Sequence, residues 1–508
     1  MTAAAEADPF AEMSAGTRRA VTFALLGCAF LGMLDGTVVG TAMPRIVADL
    51  GGDQTWYVWV VTVYLLTSTV TVPLYGRFSD LRGRRAPLLT GLGIFLAGSV
   101  ACGAAGSVPA LVVFRAVQGI GAGALLTVGM AAVRDLYPPH RATGLLRMQT
   151  LLAGMMAAGL IGGPLVGGLL SDHAGWRWAF LLNLPVGLVA GAVVVLGLPR
   201  HRPSRAGTGP VDLAGIVLLT TGLSLVLLGL ALTGHPVAAQ PRAWTDPRVA
   251  VALVVGLGLL AVLVPVERRA AVPVLPLRLF TRRTYAAVVA AGFFFQVASL
   301  PATILLPLYF QQVRGHTATA SGLFLLPLMI GMVVGNRLTA ALIIRTGRAR
   351  AVLLAGAGLV TGGTVLFFLL GTTTAPAVVS CWLALIGLGI GPAMGGATMV
   401  AQFSVPGADA GSATAGSALS KQVGGVFGLA CAQSLLAQQL AAHGASAEAT
   451  SRAIGGTVAW IGGAAGLLAV VAVLVMRDIP LLAGVRQPPG SAGQRRQQEQ
   501  RAVATDSP

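Results

Sequence analysis

This chain carries little charge. Of its 508 residues only 10% are Asp, Glu, Lys or Arg, the acids number 17, and Lys421 is the single lysine. A soluble globular chain carries about 25% charged residues. A water-facing surface for a chain this long cannot be built from so few, which excludes a soluble enzyme, a nucleic-acid binder and a secreted scaffold. Cys28, Cys102, Cys381 and Cys431 each lie inside an apolar run, and no two share a metal-ligand spacing. They read as small buried hydrophobes, and no disulfide framework, metal or cofactor is expected. The only lysine follows Ser420, so no G-x-x-x-x-G-K-[ST] loop exists and ATP-driven transport within this chain is excluded. H-E-x-x-H and G-x-S-x-G are also missing and the six histidines are scattered, which leaves an intramembrane enzyme or receptor as the less favoured alternative.

What is present is apolar. Hydrophobic residues make up 55% and the mean hydropathy is +0.80, so the bulk of the chain must lie in lipid. Spanning a bilayer takes about 20 apolar residues, and fourteen such stretches lie between residues 20 and 476. The first is long enough to span and is followed by many more, so no cleavable signal peptide is expected. The net charge of +17 reads as topology, because the arginines cluster between spans. With the N-terminus inside, 25 arginines fall on the inner loops and tails and six on the outer loops, a strong positive-inside bias. All seven tryptophans then fall near outer span ends, as expected of an apolar ring with a polar N–H.

Five stretches carry more than packing. Gly76-Arg77-Phe78-Ser79-Asp80-Leu81-Arg82-Gly83-Arg84-Arg85 follows span two. Its glycines permit a tight turn, and an acid among arginines can latch neighbouring helix ends by charge-assisted hydrogen bonds. A positive-inside loop accounts for the arginines but not for the placed acid and glycines. In span four, Arg115-Ala116-Val117-Gln118-Gly119-Ile120-Gly121 puts an arginine inside the bilayer, which marks a pathway or a partner unless it snorkels. Asp35, in the span-one stretch Leu34–Pro44, is the only acid interior to any expected span. By helix rise it sits roughly 10 Å below the outer end, the depth of Arg115. The two are a candidate pair, with a purely structural ion pair as the alternative. In span five, Gly159-Leu160-Ile161-Gly162-Gly163-Pro164-Leu165-Val166-Gly167-Gly168 has glycines spaced for close helix approach and a proline that permits a bend. Span six opens on Trp176-Arg177-Trp178-Ala179-Phe180-Leu181-Leu182-Asn183-Leu184-Pro185-Val186-Gly187.

These stretches resemble the major facilitator superfamily, and within it the fourteen-span drug/proton antiporter branch. The matching family patterns are G-x-x-x-D-x-x-G-R-R/K, R-x-x-Q-G-x-G, G-x-x-x-G-P-x-x-G-G and W-R-W-x-F-x-x-N-x-P-x-G. The span-one pattern L-D-x-T-V-V-N-x-A-L-P is met except that Gly40 replaces its asparagine and Met43 its second leucine. Ile344-Arg345-Thr346-Gly347-Arg348 looks like a decayed copy of the first motif, with Ile344 where Asp80 stands. The resemblance implies an all-α integral membrane protein of the major facilitator fold, two six-helix bundles with two extra central helices. The divisions fall at 1–200, 201–270 and 271–480, with 481–508 a disordered tail. It further implies proton coupling at Asp35 and Arg115, and a gating loop of Gly76, Asp80, Gly83, Arg84, Arg85 and Asp135. The antiporter motif is then Gly159, Gly163, Pro164, Gly167 and Gly168. Gln118, Gln296 and Asn336 are candidates for a substrate cavity. Arg337 and Lys421 are expected to snorkel to the inner face.

The expected activity is export of amphipathic drugs, antibiotics or related metabolites by proton exchange and alternating access. The setting expected is a bacterial plasma membrane, with a monomer whose termini are both cytoplasmic and whose partners are protons, substrate and lipid, without nucleic acid. A single carboxylate in the cavity would balance one positive charge, so neutral or monocationic substrates are expected. The alternative is proton-linked or facilitative movement of a nutrient or endogenous metabolite. The span-five motif argues against it, since symporters and uniporters usually lack that motif.

Overall fold

The computed structural model describes residues 13–52, 54–137, 142–199, 212–232, 246–270, 277–406, 409–444 and 446–477. The expected tail at 481–508 and the linker 201–211 lie outside them. The described residues form helices and no strand. In chain order these are α1 (Ala15–Asp49), α2 (Gln54–Arg82), α3 (Arg85–Gly103), α4 (Val108–Leu136), α5 (Ala142–Leu169), α6 (Trp178–Leu181), α7 (Asn183–Gly197) and α8 (Leu213–Leu232). There follow α9 (Pro247–Arg269), α10 (Arg283–Leu308), α11 (Ala318–Thr346), α12 (Ala349–Val365), α13 (Pro376–Met394), α14 (Gly396–Phe403), α15 (Ala410–His443) and α16 (Ala447–Val475). In lipid a backbone must satisfy its own polar groups, and the helix does so along its whole length. Side chains close the ends. Ser14, Ser107, Thr317 and Ser446 each accept an N–H of the first turn of α1, α4, α11 and α16. Among the described residues, thirteen helical stretches are long and apolar enough to cross a membrane. The fourteenth expected span is α8, whose apolar stretch Ala214–Leu230 is shorter.

In the N-terminal half, α1 packs on α4, α5 and α7, and α4 lies between α2 and α3. In the C-terminal half, α10 packs on α15 and α16, and α13 lies between α11 and α12. The halves meet along α5–α11, α2–α15 and α1–α10. Helix α8 lies over the second of these seams. Its Leu223 and Leu227 pack with Val426 of α15 against Leu65, Leu66 and Val70 of α2.

The two halves use the same device to bring three helices together. On α4 a Cβ at Gly119 would stand 2.5 Å from the Tyr64 carbonyl oxygen of α2, and one at Gly121 2.3 Å from the Phe95 nitrogen of α3. On α13 a Cβ at Gly387 would stand 2.2 Å from the Leu328 oxygen of α11, and one at Gly389 2.7 Å from the Gly356 oxygen of α12. Alternate glycines thus seat each central helix backbone-to-backbone on its two neighbours.

One expectation needs adjustment. The stretch after span two is not a loop from Gly76 onward, because α2 continues to Arg82 and Gly76 is helical. The turn is made by Gly83 alone, at φ +83°, a backbone region that glycine enters without a Cβ penalty. Gly347 does the same at the end of α11, at φ +69°, so the decayed copy retains the turn although it lacks the acid.

Candidate functional site

Asp35 and Arg115 meet inside the N-terminal half, each 0% exposed. Arg115 Nη1 donates to Asp35 Oδ2 at 2.7 Å. The arginine therefore does not snorkel. Gln118, three residues on and so on the same face of α4, accepts from Arg115 Nη1 at 2.8 Å and donates to Asp35 Oδ1 at 2.8 Å. Asn183, at the start of α7, donates to the same Oδ1 at 2.9 Å. Ser99 of α3 accepts from both amides, at 2.8 Å from Gln118 and 3.2 Å from Asn183. The carboxylate thus receives at least these three donors, which offset the hydration a buried charge loses.

The arginine is held on its other sides by α2. Its Nε faces the Val60 carbonyl oxygen at 3.4 Å, and its guanidinium carbon stacks 3.9 Å from the Tyr64 ring centroid. The Phe180 ring lies at 5.8 Å. The cation sits between one carboxylate and two aromatic faces, which attract it through their ring quadrupoles. The Asp35–Arg115 contact was expected from helix depth; the parts played by Tyr64, Ser99 and Asn183 were not. The only sequence signal for Asn183 was its position in the Trp176–Gly187 stretch.

A cavity of about 250 Å³ lies next to this network, between the halves. Met33 and Thr37 of α1, Tyr64 of α2 and Leu160 of α5 form one side; Gln296, Thr303, Met329, Met332 and Gln422 form the other. The described residues of its wall include no Asp, Glu, Lys, Arg or His. Asp35 is not on that wall. Gly32, Met33, Gly36 and Thr37 turn toward the cavity, and the 100° step of the helix points Asp35 the other way. Of the three amides expected to line a cavity, Gln296 does. Gln118 lies in the buried network. Asn336 lies beside Gly395, its Oδ1 2.5 Å from where a Cβ there would stand.

The motif of α5 faces two helices at once. Cβ atoms at Gly159, Gly163 and Gly167 would meet Met33, Thr37 and Val38 of α1, while one at Gly168 would stand 2.6 Å from the Ala318 oxygen of α11. A Cβ at Gly322 of α11 would stand 2.3 Å from the Pro164 carbonyl oxygen. Helix α5 then ends in a π-turn, Leu170–Ala174, which carries Asp172 to the other half. Asp172 accepts from the Thr319 N–H at 2.8 Å, the Thr319 hydroxyl at 2.6 Å and the Ala318 N–H at 3.3 Å. It thus caps the N-terminus of α11 from across the seam, and Arg45 approaches it at 3.4 Å. Gln311 adds a bond to the Thr41 carbonyl at 2.8 Å. These contacts close the end of the seam that the arginine distribution assigns to the outside.

At the opposite end, Arg84 pairs with Asp135 at 2.8 Å and donates to the Ser79 hydroxyl at 2.8 Å. Arg85 binds the Val195 and Leu198 carbonyls at the end of α7. The Asp80 side chain lies outside the described residues. Arg337 is exposed. Lys421 does not snorkel: its Nζ donates to the Ala393 and Met394 carbonyls at 3.1 and 3.2 Å and to the Thr398 hydroxyl at 2.8 Å. It caps α13 where that helix breaks at Gly395, and a cation at a helix C-terminus is favoured by the dipole. No group of three or more metal-ligating side chains occurs among the described residues.

The Major Facilitator Superfamily profile matches residues 25–429. The chain belongs to this family. It is 34% identical over 402 residues to the multidrug transporter protein MdtP of Bacillus subtilis (strain 168), covering 79% of this chain and 72% of that protein. It is also 34% identical over 398 residues to an uncharacterized MFS-type transporter of Mycobacterium tuberculosis, covering 78% of this chain but only 56% of that one. Among solved structures, the nucleoside transporter NupG shares the fold with a TM-score of 0.62 over 90% of this chain and 100% of that one, at 11% identity. The chain is accordingly a multi-pass transporter and not an enzyme.

Proposed function

We propose that this chain is a proton-coupled exporter of amphipathic small molecules, in the fourteen-span drug/proton antiporter branch of its superfamily. We place it in a bacterial plasma membrane with both termini cytoplasmic. The observation that carries the reading is the fully buried Asp35–Arg115 pair, set beside a cavity between the halves whose described wall bears no charged side chain. A proton on Asp35 removes the anion and leaves Arg115 a buried cation with carbonyl and aromatic neighbours only. Such a state is unfavourable by several kcal/mol. The helices that hold Arg115 must then move, and this links proton occupancy to conformation. The 1–200 and 271–480 bundles rock about the cavity, and the α5–α11 contacts with the Asp172 cap hold the outer end shut until that motion. The chain's likeness to a protein named a multidrug transporter supports export over uptake. Met33, Met329, Met332 and the amides of Gln296 and Gln422 suit ligands of varied shape.

Proteoliposomes loaded with ethidium, with a proton gradient imposed across the membrane, test the reading. The native chain should move ethidium against its concentration gradient as protons move the other way. Asp35→Asn should abolish that movement while the protein remains in the membrane, and Asp35→Glu should keep part of it. Undiminished proton-driven movement by Asp35→Asn would overturn the proposal.

A further inference from the structure

The proposed exporter has a coupling problem. Substrate in the cavity cannot reach Asp35, and nothing charged on the described wall can compete for its proton. We propose that Tyr64 is the positioning residue that couples the two sites, its ring serving at once as cavity wall and as the surface on which Arg115 rests. The inference rests on the proton-coupled reading above and names the residue through which substrate acts.

Three observations carry it. Tyr64 lines the cavity, yet only 4% of it is exposed, so the rest of the side chain faces protein. The guanidinium of Arg115 covers the ring at 3.9 Å and reaches back along α2 to the Val60 carbonyl. The backbone beneath cannot yield: α4 is pressed against it at Gly119, where even a Cβ would meet the Tyr64 oxygen at 2.5 Å. A ligand crowding the ring therefore moves the ring and not the helix, and a ring that swings away strips Arg115 of one face of its support. The position that corresponds in the C-terminal half, beneath Gly387, is Leu328. There Leu383 stands four residues before the glycine, as Arg115 does on α4, so no cation waits on the other side.

The titratable and charged groups around the pair are Asp35 on α1, Tyr64 on α2, Cys102 on α3 and Arg115 itself on α4; α6 and α7 supply Phe180 and Asn183, which do not titrate. Of these groups only Tyr64 lines the cavity, so it is the one through which a ligand can act on the pair by direct side-chain contact. By reciprocity, proton binding must alter substrate affinity by the same factor.

The test compares purified native protein, Tyr64→Phe and Tyr64→Leu, each with ethidium as a monocationic probe and chloramphenicol as a neutral one. Leucine fills the equivalent place at 328, so the fold accommodates it; Tyr64→Met serves if the leucine variant is not recovered. Probe affinity is measured at about pH 6 and about pH 8, with proton release into weak buffer on probe addition. In the native protein the affinity should change by about tenfold across that range, inside the roughly 5–150-fold span of coupled sites. Tyr64→Phe keeps the ring and should keep the dependence. Tyr64→Leu should still bind both probes, but with less than about a twofold change and with proton release lost. Full pH dependence in Tyr64→Leu would overturn the inference and leave the exporter reading intact. Loss in Tyr64→Phe equal to that in Tyr64→Leu would also overturn it, by assigning the hydroxyl in place of the ring. If native protein shows neither pH dependence nor proton release, the proton-coupled reading itself falls and takes this inference with it.

Discussion

Helices α4 and α13 are built on one pattern and carry opposite chemistry. Arg115-x-x-Gln118-Gly119-x-Gly121-x-Gly123 on the first corresponds to Leu383-x-x-Ile386-Gly387-x-Gly389-x-Gly391 on the second. In both, alternate glycines seat the helix on its two neighbours. Leu383 and Ile386 are as fully buried as Arg115 and Gln118, all four 0% exposed. The C-terminal half shows that this three-helix arrangement closes with leucine and isoleucine at those places. The charged pair is therefore not what holds the N-terminal half together. Buried ion pairs give little net stability relative to apolar residues of similar size, so a pair kept where leucine would fit calls for a reason other than packing.

The sharpest way to break the comparison is to make α4 resemble α13. Arg115→Leu alone leaves Asp35 buried without its cation and should destabilise the protein by roughly 3–5 kcal/mol. Adding Asp35→Asn removes the stranded charge and should restore most of the thermal stability in detergent, while proton-driven transport stays absent in both variants. Thermal unfolding of the single and the double variant decides this. A single variant as stable as the double would mean that the Asp35 charge is relieved by some other group.

The next effect should be equal in the two halves. Gly119→Ala drives a Cβ against the Tyr64 oxygen, and Gly387→Ala drives one against the Leu328 oxygen, at 2.5 and 2.2 Å. Each contact is with backbone, which cannot turn aside, so each variant should lose about 1–3 kcal/mol. Matched drops in unfolding temperature are expected. A drop for Gly119→Ala alone would mean that the glycine serves Arg115 and not the helix packing.

How far the sequence reached follows from the same contrast. The Asp35–Arg115 pair was legible because a lone charge in lipid demands a partner and because depth is simple arithmetic along a helix. The glycine stretches were legible as close-approach faces for a like reason. Tyr64, Ser99 and Asn183 were not legible, since neutral residues carry no such demand and the rotation of each helix about its axis is set by packing. The facing of Asp35 away from the cavity belongs to that same missing information. Asp172 escaped notice because it lies past the apolar run of span five, and a π-turn brings it into the seam. Lys421 was misread because the Pro392 and Gly395-Gly396 signals mark a break in α13 but not which side chain meets the two carbonyls that it exposes.

The seam between the halves yields a smaller effect. Asp172→Asn keeps the shape of the α11 cap but weakens its charge-assisted bonds to Thr319 and Ala318 and removes the attraction of Arg45. A change of about 0.5–2 kcal/mol is expected for such a cap. The balance should move toward states open at the outer end. A cysteine placed at Thr41, beside the Gln311 contact, should then react faster with an impermeant thiol reagent added outside. Equal reactivity with and without Asp172→Asn would reduce the cap to a local fixture of α11.

The smallest effect separates packing from motif within the Gly159–Gly168 stretch of α5. Gly162 and Gly163 are neighbours in the same glycine-proline stretch, yet a Cβ at Gly163 would fall 1.8 Å from the Thr37 hydroxyl, while one at Gly162 would meet nothing within 4 Å. Gly163→Ala must push α5 off α1 and should depress both stability and transport. Gly162→Ala faces open space and replaces a poor helix former by the best one, a gain of up to about 1 kcal/mol. Its unfolding temperature should be unchanged or slightly raised, with native transport in the proteoliposome assay. Damage from Gly162→Ala comparable to that from Gly163→Ala would show that α5 turns about its axis during the cycle, so that a face open in this conformation becomes a contact in another. The null result would confine the tight face of α5 to Gly159, Gly163 and Gly167 against α1 and to Gly168 against α11.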